Sequence, residues 1–245
     1  VATGGTLTIG SILTGSNGLT KAGPGTLVLS GANTYTGTTN VNGGILEVQN
    51  NAALGGTGTV VASGATLRLN GTSLDVTPEP ITISGTGVGG TAGAIQNTNT
   101  TDAFVGPITL AANATIHPDA GWIRIGGTTG TANLTINSAN SKGVFLNDTG
   151  GGNLNHTGST TLTGSGQLDL YNARQLTANS TGLFMNGSGS HVRLRGTNNI
   201  ADTESVTVGA GATFELANGD ETIGSLSGAV GATVTLGSHT LTTGN

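Results

Sequence analysis

Three stretches near the N-terminus share one phrase: PGTLVLSG (24–31), GGILEVQ (43–49) and GATLRLNG (64–71). Each runs from glycine through a small residue into aliphatic–x–aliphatic, with the pairs Leu27/Leu29, Leu46/Val48 and Leu67/Leu69. In an extended strand successive side chains point to opposite faces, so each pair faces one side and Val28, Glu47 or Arg68 the other. The phrase also opens the chain as GGTLTIG (4–10), and counting between first aliphatics gives steps of 20, 19 and 21 residues. Near the other end it returns as SGQLDLYN (165–172), SHVRLRG (190–196), GATFELANG (211–219) and GATVTLG (231–237), at steps of 24, 22 and 20.

A period near twenty is shorter than a propeller blade, and the L-x-x-L-x-L-x-x-N pattern of leucine-rich repeats is absent. The physical reading is an all-β parallel β-solenoid. One rung cannot bury its aliphatics alone, so rungs stack about 4.8 Å apart and build a continuous core. The inward set is then Leu7, Ile9, Leu27, Leu29, Leu46, Val48, Leu67, Leu69, Phe214, Leu216, Val234 and Leu236. The 245 residues correspond to about a dozen rungs of roughly 20 residues in a single domain, 1–245. Regular rungs are expected over 1–76 and 166–245. Between them, 77–165 keeps the phrase at Ile81/Ile83, Ile108/Leu110 and Leu134/Ile136, but at uneven spacing, so irregular rungs with loops are expected there.

Composition agrees. Gly (45), Thr (44), Asn (23) and Ser (17) make up over half of the chain, and these are poor helix-interior residues. A helical bundle or a doubly wound α/β enzyme is excluded on that ground. Plentiful β-branched residues and a net charge of only −5 argue against a disordered tail. Seven basic residues cannot build the cationic stripe that nucleic acid needs. No apolar run approaches the roughly 20 residues of a membrane-spanning helix. With no cysteine there is no disulfide framework, thiolate nucleophile or Cys-ligated zinc.

Residues 18–48, GLTKAGPGTLVLSGANTYTGTTNVNGGILEV, closely resemble the autotransporter-associated β-strand repeat of bacterial passenger proteins. The resemblance is carried by Gly18-Leu19-Thr20-Lys21, Gly25-Thr26-Leu27, the run Ser30 to Gly37 (SGANTYTG) and Gly43-Gly44-Ile45-Leu46, and it continues through 52–69. It implies a right-handed parallel β-helix, exported and displayed outside a bacterial cell. Such proteins usually end in a membrane-embedded barrel, which this sequence does not contain, so the translocating part is expected beyond Asn245, unless secretion here differs.

The outward middle positions carry the charge: Glu47 and Arg68 in the first half, Asp169, Arg193 and Glu215 in the second. On stacked rungs these make alternating-sign ladders along one face, read as a solvated surface with weak cross-rung pairs. The sharper alternative is a carbohydrate-active β-helix enzyme, which needs two carboxyls flanking a glycosidic bond. The only pairs available are Asp148 with Asp169, and Asp202 with Glu215 or Glu204, with His191, Arg193 and Arg195 nearby. No aromatics gather to stack on sugars, since Trp122 and Tyr171 are far apart in sequence. No catalytic residue is therefore assigned.

His117, His156, His191 and His239 lack metal-ligand spacing and are read as surface or turn residues. A calcium repeat would need glycine where Gln167 stands before Asp169, and Gly150-Gly151-Gly152 lacks the strand-to-helix context of a phosphate loop. No cofactor or metal is expected. A threonine array for ice binding is broken where Thr8 is followed by Val28, Glu47 and Arg68. Trp122 is read as a packing residue, with a ligand site in 77–165 as the alternative. Neither end shows a capping element, so either flanking rungs of a longer chain cover the strand edges or the edges stand open to end-to-end self-association. The expectation is an extracellular structural or adhesive segment (stalk, adhesin or fibre subunit), with other copies, surface glycans or matrix as partners.

Overall fold

The computed structural model describes residues 1–76, 79–146, 152–171, 175–176 and 180–244. All strand pairings among them are parallel, and the only helical element is a short 3₁₀ turn at Val88–Gly90. The chain is a β-solenoid with three strand-bearing faces.

The first face holds eleven strands, from Thr6–Ile9 through Thr26–Leu29, Gly44–Val48 and Ala65–Leu69 to Ser225–Gly228. Its register stacks like on like: Leu7–Leu27–Leu46–Leu67–Ile95–Ile116–Ile136, then Leu162, Met185 and Val208, ending at Gly228. A one-residue slip would turn the buried side chains from Leu27 to Val208 to solvent, so burial itself holds the register. The second face holds eight strands, from Asp75–Val76 and Ala103–Val105 to Thr233–Thr235. The third runs through Leu19–Lys21, Thr39–Val41, Thr59–Val61 and Ile81–Gly85 into the start of the long strand Ile108–Pro118. It continues as single bridges joining Thr128, Leu154, Leu176 and Ile200.

Three faces explain the uneven spacing of the middle stretch. Ile81/Ile83 and Ile108/Leu110 belong to the third face, whereas Leu134/Ile136 belong to the first. The two series of phrases also separate: Leu27, Leu46 and Leu67 stack on the first face, and Leu168, Val192 and Phe214 on the second. A rung thus carries up to three aliphatic phrases, one per face. One rung is long, with 28 residues between the paired Arg68 and Gln96, because an excursion around Val88–Gly90 is inserted. Thr66 pins it, donating to the Gly93 carbonyl at 2.8 Å and accepting from the Val88 amide at 3.0 Å.

The core is a column of leucine, isoleucine and valine with Phe214 as its one fully buried phenylalanine among the described residues. Two expected core residues are corrected: Leu7 is 50% exposed and Val234 39%. Both point inward by register, but each sits in an end rung with a partner strand on one side only. Corners need backbone that side chains disfavour. At Gly44 φ is +64°, and a Cβ there would run into the carbonyls of Gly23 and Gly25 on the preceding rung.

Polar residues inside the coil act as clips between rungs. Asn33, 5% exposed, accepts from the Leu13 amide of the rung before and donates to the Ala53 carbonyl of the rung after. Lys21, 2% exposed, donates to the carbonyls of Ala22, Gly23 and Gly43 at 2.7–3.2 Å. The Tyr35 hydroxyl bonds Thr39 Oγ1, which in turn donates to the Leu54 carbonyl. Buried polar groups persist only when partnered in this way. The most recognisable residues of the 18–48 stretch are therefore structural.

Candidate functional site

The second face carries the chemistry. Its outward middle column reads Asp75, Phe104, Arg124, Phe145, Asp169, Arg193, Glu215 and Thr235, each paired in register with the next. Strand geometry places these neighbours about 4.8 Å apart. Lower on the face, the Arg124 guanidinium lies over the Phe104 ring at 3.4 Å.

At mid-height three aromatic rings line up. Phe145 stands edge-to-face with Trp122 (centroids 6.1 Å apart, 64° between planes) and with Tyr171 (6.3 Å, 65°). They come from consecutive rungs and run diagonally. Trp122 lies two positions before Arg124, the register partner of Phe145, and Tyr171 two positions after Asp169. The Trp122 backbone is fixed on both sides: its amide donates to Asp102 Oδ1 at 3.3 Å, and its carbonyl accepts from Asn97 Nδ2 and the Ala103 amide, both at 3.0 Å.

Above the aromatics lies a charged network. Asp169 Oδ2 accepts from Arg195 Nε at 2.8 Å and Arg193 Nη1 at 3.3 Å. Arg193 Nε reaches on to Glu215 Oε2 at 3.0 Å, which also meets His191 Nε2 at 2.8 Å. Burial pushes the Glu215 carboxyl up, but the bonds and charges of Arg193 and His191 outweigh it and hold it below the usual range. The Arg195 guanidinium lies 5.1 Å from the Tyr171 ring centre. Asp169 is 4% exposed, and its Oδ1 has no hydrogen-bond partner.

Together Asp102, Trp122, Phe145, Asp169, Tyr171, Arg193 and Arg195 line a groove of about 230 Å³. That is below the roughly 300–1,000 Å³ typical of drug-sized pockets, and suits one ring-shaped group.

The two ladders form with the expected register, but on different faces: Glu47–Arg68 (3.5 Å) on the first, Asp169–Arg193–Glu215 on the second. Nor is either simply a solvated surface, since Glu47 is 8% exposed and Asp169 4%. Glu47 meets Arg68 through Oε2 and accepts from Gln49 and Asn70 on its other oxygen, Oε1. Among the described residues, Asp202 does not come together with Glu215 or Glu204 as a carboxylate pair. Asp148 lies outside the described residues. Asp202 is exposed in the turn before Ser205–Val208 of the first face, Glu204 is buried against Ser180 Oγ, and Glu215 is on the second face.

His156 is a further correction. It is fully buried, with Nδ1 2.7 Å from Thr128 Oγ1 and Nε2 3.1 Å from Thr160 Oγ1, and burial lowers its pKa. His117 bonds the Thr91 carbonyl, and His239 lies 3.9 Å from Asp220. Among the described residues, no three of His, Asp and Glu come together as metal ligands.

The expectation that no aromatics gather fails. Trp122, Phe145 and Tyr171 stand 23 and 26 residues apart, about one rung each. That spacing is the signal the sequence holds, and it lies outside the aliphatic positions of the repeated phrase.

Residues 19–48 match the family model described as the passenger-associated-transport-repeat. That segment is a repeat of the autotransporter passenger type. A stretch of 33 residues is 67% identical to the "Adhesin BmaC autotransporter" of Brucella suis biovar 1 (strain 1330). The match covers 14% of this chain and 1% of that relative. No solved structure matches the chain.

Proposed function

We propose that the chain is part of the surface-displayed region of a secreted bacterial protein, serving there as a structural and adhesive element without catalysis. The observation that carries this is the passenger-associated repeat at 19–48 built into an uninterrupted stack of the first face. Its signature residues Lys21 and Asn33 clip rungs together directly, and Tyr35 does so through Thr39, which supports a role in building a long, regular display surface. The likeness to an autotransporter adhesin over a short stretch supports an adhesive use of that surface.

The acids of the second face are held by arginines and a histidine, which supports a fixed binding face over proton-transfer chemistry. The proposal includes pairing of the end rungs with further rungs, in the same polypeptide or in another copy, since the inward residues Leu7 and Val234 are half-covered.

Antibodies raised against the folded chain test the location. They should label intact cells of the bacterium that makes it, as strongly as permeabilised ones. Labelling confined to permeabilised cells would overturn the proposal.

A further inference from the structure

We propose that the groove around Trp122 on the second face is a carbohydrate-binding site, taking one neutral pyranose ring of a glycan. The inference deepens the adhesive reading and rests on it for biological meaning, but the binding event stands on the groove alone.

Four observations converge. First, Trp122, Phe145 and Tyr171 are half-buried, so their rings present apolar surface at the groove without being sealed in the core. A pyranose has one face of C–H bonds and a rim of hydroxyls, and flat aromatic surface with polar groups at its margin is its complement. Second, hydrogen-bonding groups surround the rings. Asp102 and Asp169 supply acceptors, and Arg193 and Arg195 donors.

Third, Arg195 commits only its Nε to Asp169, and its two terminal nitrogens make no hydrogen bond to the described residues. Those two donors form a rigid fork that spans neighbouring oxygens. Fourth, Asp169, one of the residues lining the groove, carries a buried acceptor, Oδ1, with no hydrogen-bond donor among the described residues. A lone buried acceptor is costly, and a ligand hydroxyl is the group that would satisfy it after a small side-chain adjustment.

Charge decides the class of sugar. Two carboxylates and two guanidiniums line the groove, so the lining is balanced. An anionic sugar would gain at the arginines and lose at Asp102 and Asp169. A neutral ring avoids that conflict and uses donors and acceptors of both kinds.

The position also fits display. The groove lies on an outward face, built from strands on consecutive rungs, so side chains on rigid elements shape it. Arg193 is braced by Glu215 from the rung above and by His191 on its own strand, and Arg195 by Asp169 from the rung below.

Trp122 is the chain's only tryptophan, so its fluorescence reports on this groove alone. The test titrates the intact chain with methyl glucoside, methyl galactoside and methyl mannoside, with glucuronate as the anionic comparator. At least one neutral glycoside should give a saturable change in emission with a Kd of about 1–10 mM, the range open to a single small ring. Tyr171→Ala and Arg195→Gln keep the reporter, and each should weaken that binding about tenfold or more. Circular dichroism and melting temperature identify any variant that has failed to fold, and Arg195→Gln, at a half-buried position, serves if Tyr171→Ala does.

Absence of a saturable change with all three neutral glycosides would overturn the site. So would unchanged affinity in a folded Arg195→Gln variant, or binding of glucuronate only. If the groove fails while beads coated with the wild-type chain still adhere to host-cell surfaces, the adhesive reading stands and its contact lies elsewhere. Loss of both would refute the two together.

Discussion

Single residues set the strength of the joints between rungs, and the buried acids show how. Glu221 is 2% exposed, and burial raises its carboxyl from an ordinary 4.5 to about 7; bonds from the Asn199 and Ile200 amides oppose the rise, and the charge of Asp202 adds to it. Between those values the folded chain holds a proton that the unfolded chain has released. Stability is therefore fully present below pH 4.5 and is lost as pH rises through about 7. The effect is on the order of 3 kcal/mol at most. Glu79 and Glu204, raised chiefly by burial, act in the same sense, and the lowered Glu215 acts in the opposite one. Glu221→Gln should narrow the gap in melting temperature between pH 5 and pH 8. An unchanged gap would show that Glu221 is ionised in the folded chain throughout. None of this was legible in the sequence. Asn218-Gly219-Asp220-Glu221 reads as an isolated acidic turn, and only the packing of the rungs buries the last of its acids.

At the scale of the strand, burial follows from neighbours above and below. Leu46 and Leu7 occupy the same column of the first face, yet Leu46 is fully buried and Leu7 is 50% exposed. Leu46→Ala should destabilise by about 2–5 kcal/mol through lost transfer energy and the cavity left behind. Leu7→Ala should change stability by less than about 1 kcal/mol, because half of that side chain already faces water. Urea melts of the two variants check the contrast, and equal losses would mean that the register is wrong. The register itself was legible, since strand alternation needs only the order of residues. The assignment of phrases to faces was not. The Leu46 and Leu168 phrases look alike in the chain but stack in different sheets, and the difference depends on how many residues each corner takes up.

Over the whole molecule, each rung touches only the rungs beside it, so stability is close to a sum of local terms and nearest-neighbour interfaces. Amide exchange should then be slowest in interior strands such as Leu134–Ser138, and fastest in Thr6–Ile9 and Ser225–Gly228 at the two ends of the first face. A flat profile along the chain would point to a single cooperative unit instead. What the sequence by itself determined was the kind of fold: a repeat near twenty residues, glycine and asparagine at the corners, and aliphatic alternation that only stacking can bury. The passenger-type repeat at 19–48 was legible for the same reason, because its residues make contacts from one rung to the next at a nearly constant separation. Only the tertiary structure decided the site. Asp169 and Arg195 sit in the phrases at 165–172 and 190–196, but nothing in those phrases pairs them with Trp122 and Phe145, and the four span more than seventy residues. Rungs of unequal length bring them onto one face, and the summed length of the intervening corners, which no local pattern encodes, sets which side chains become neighbours.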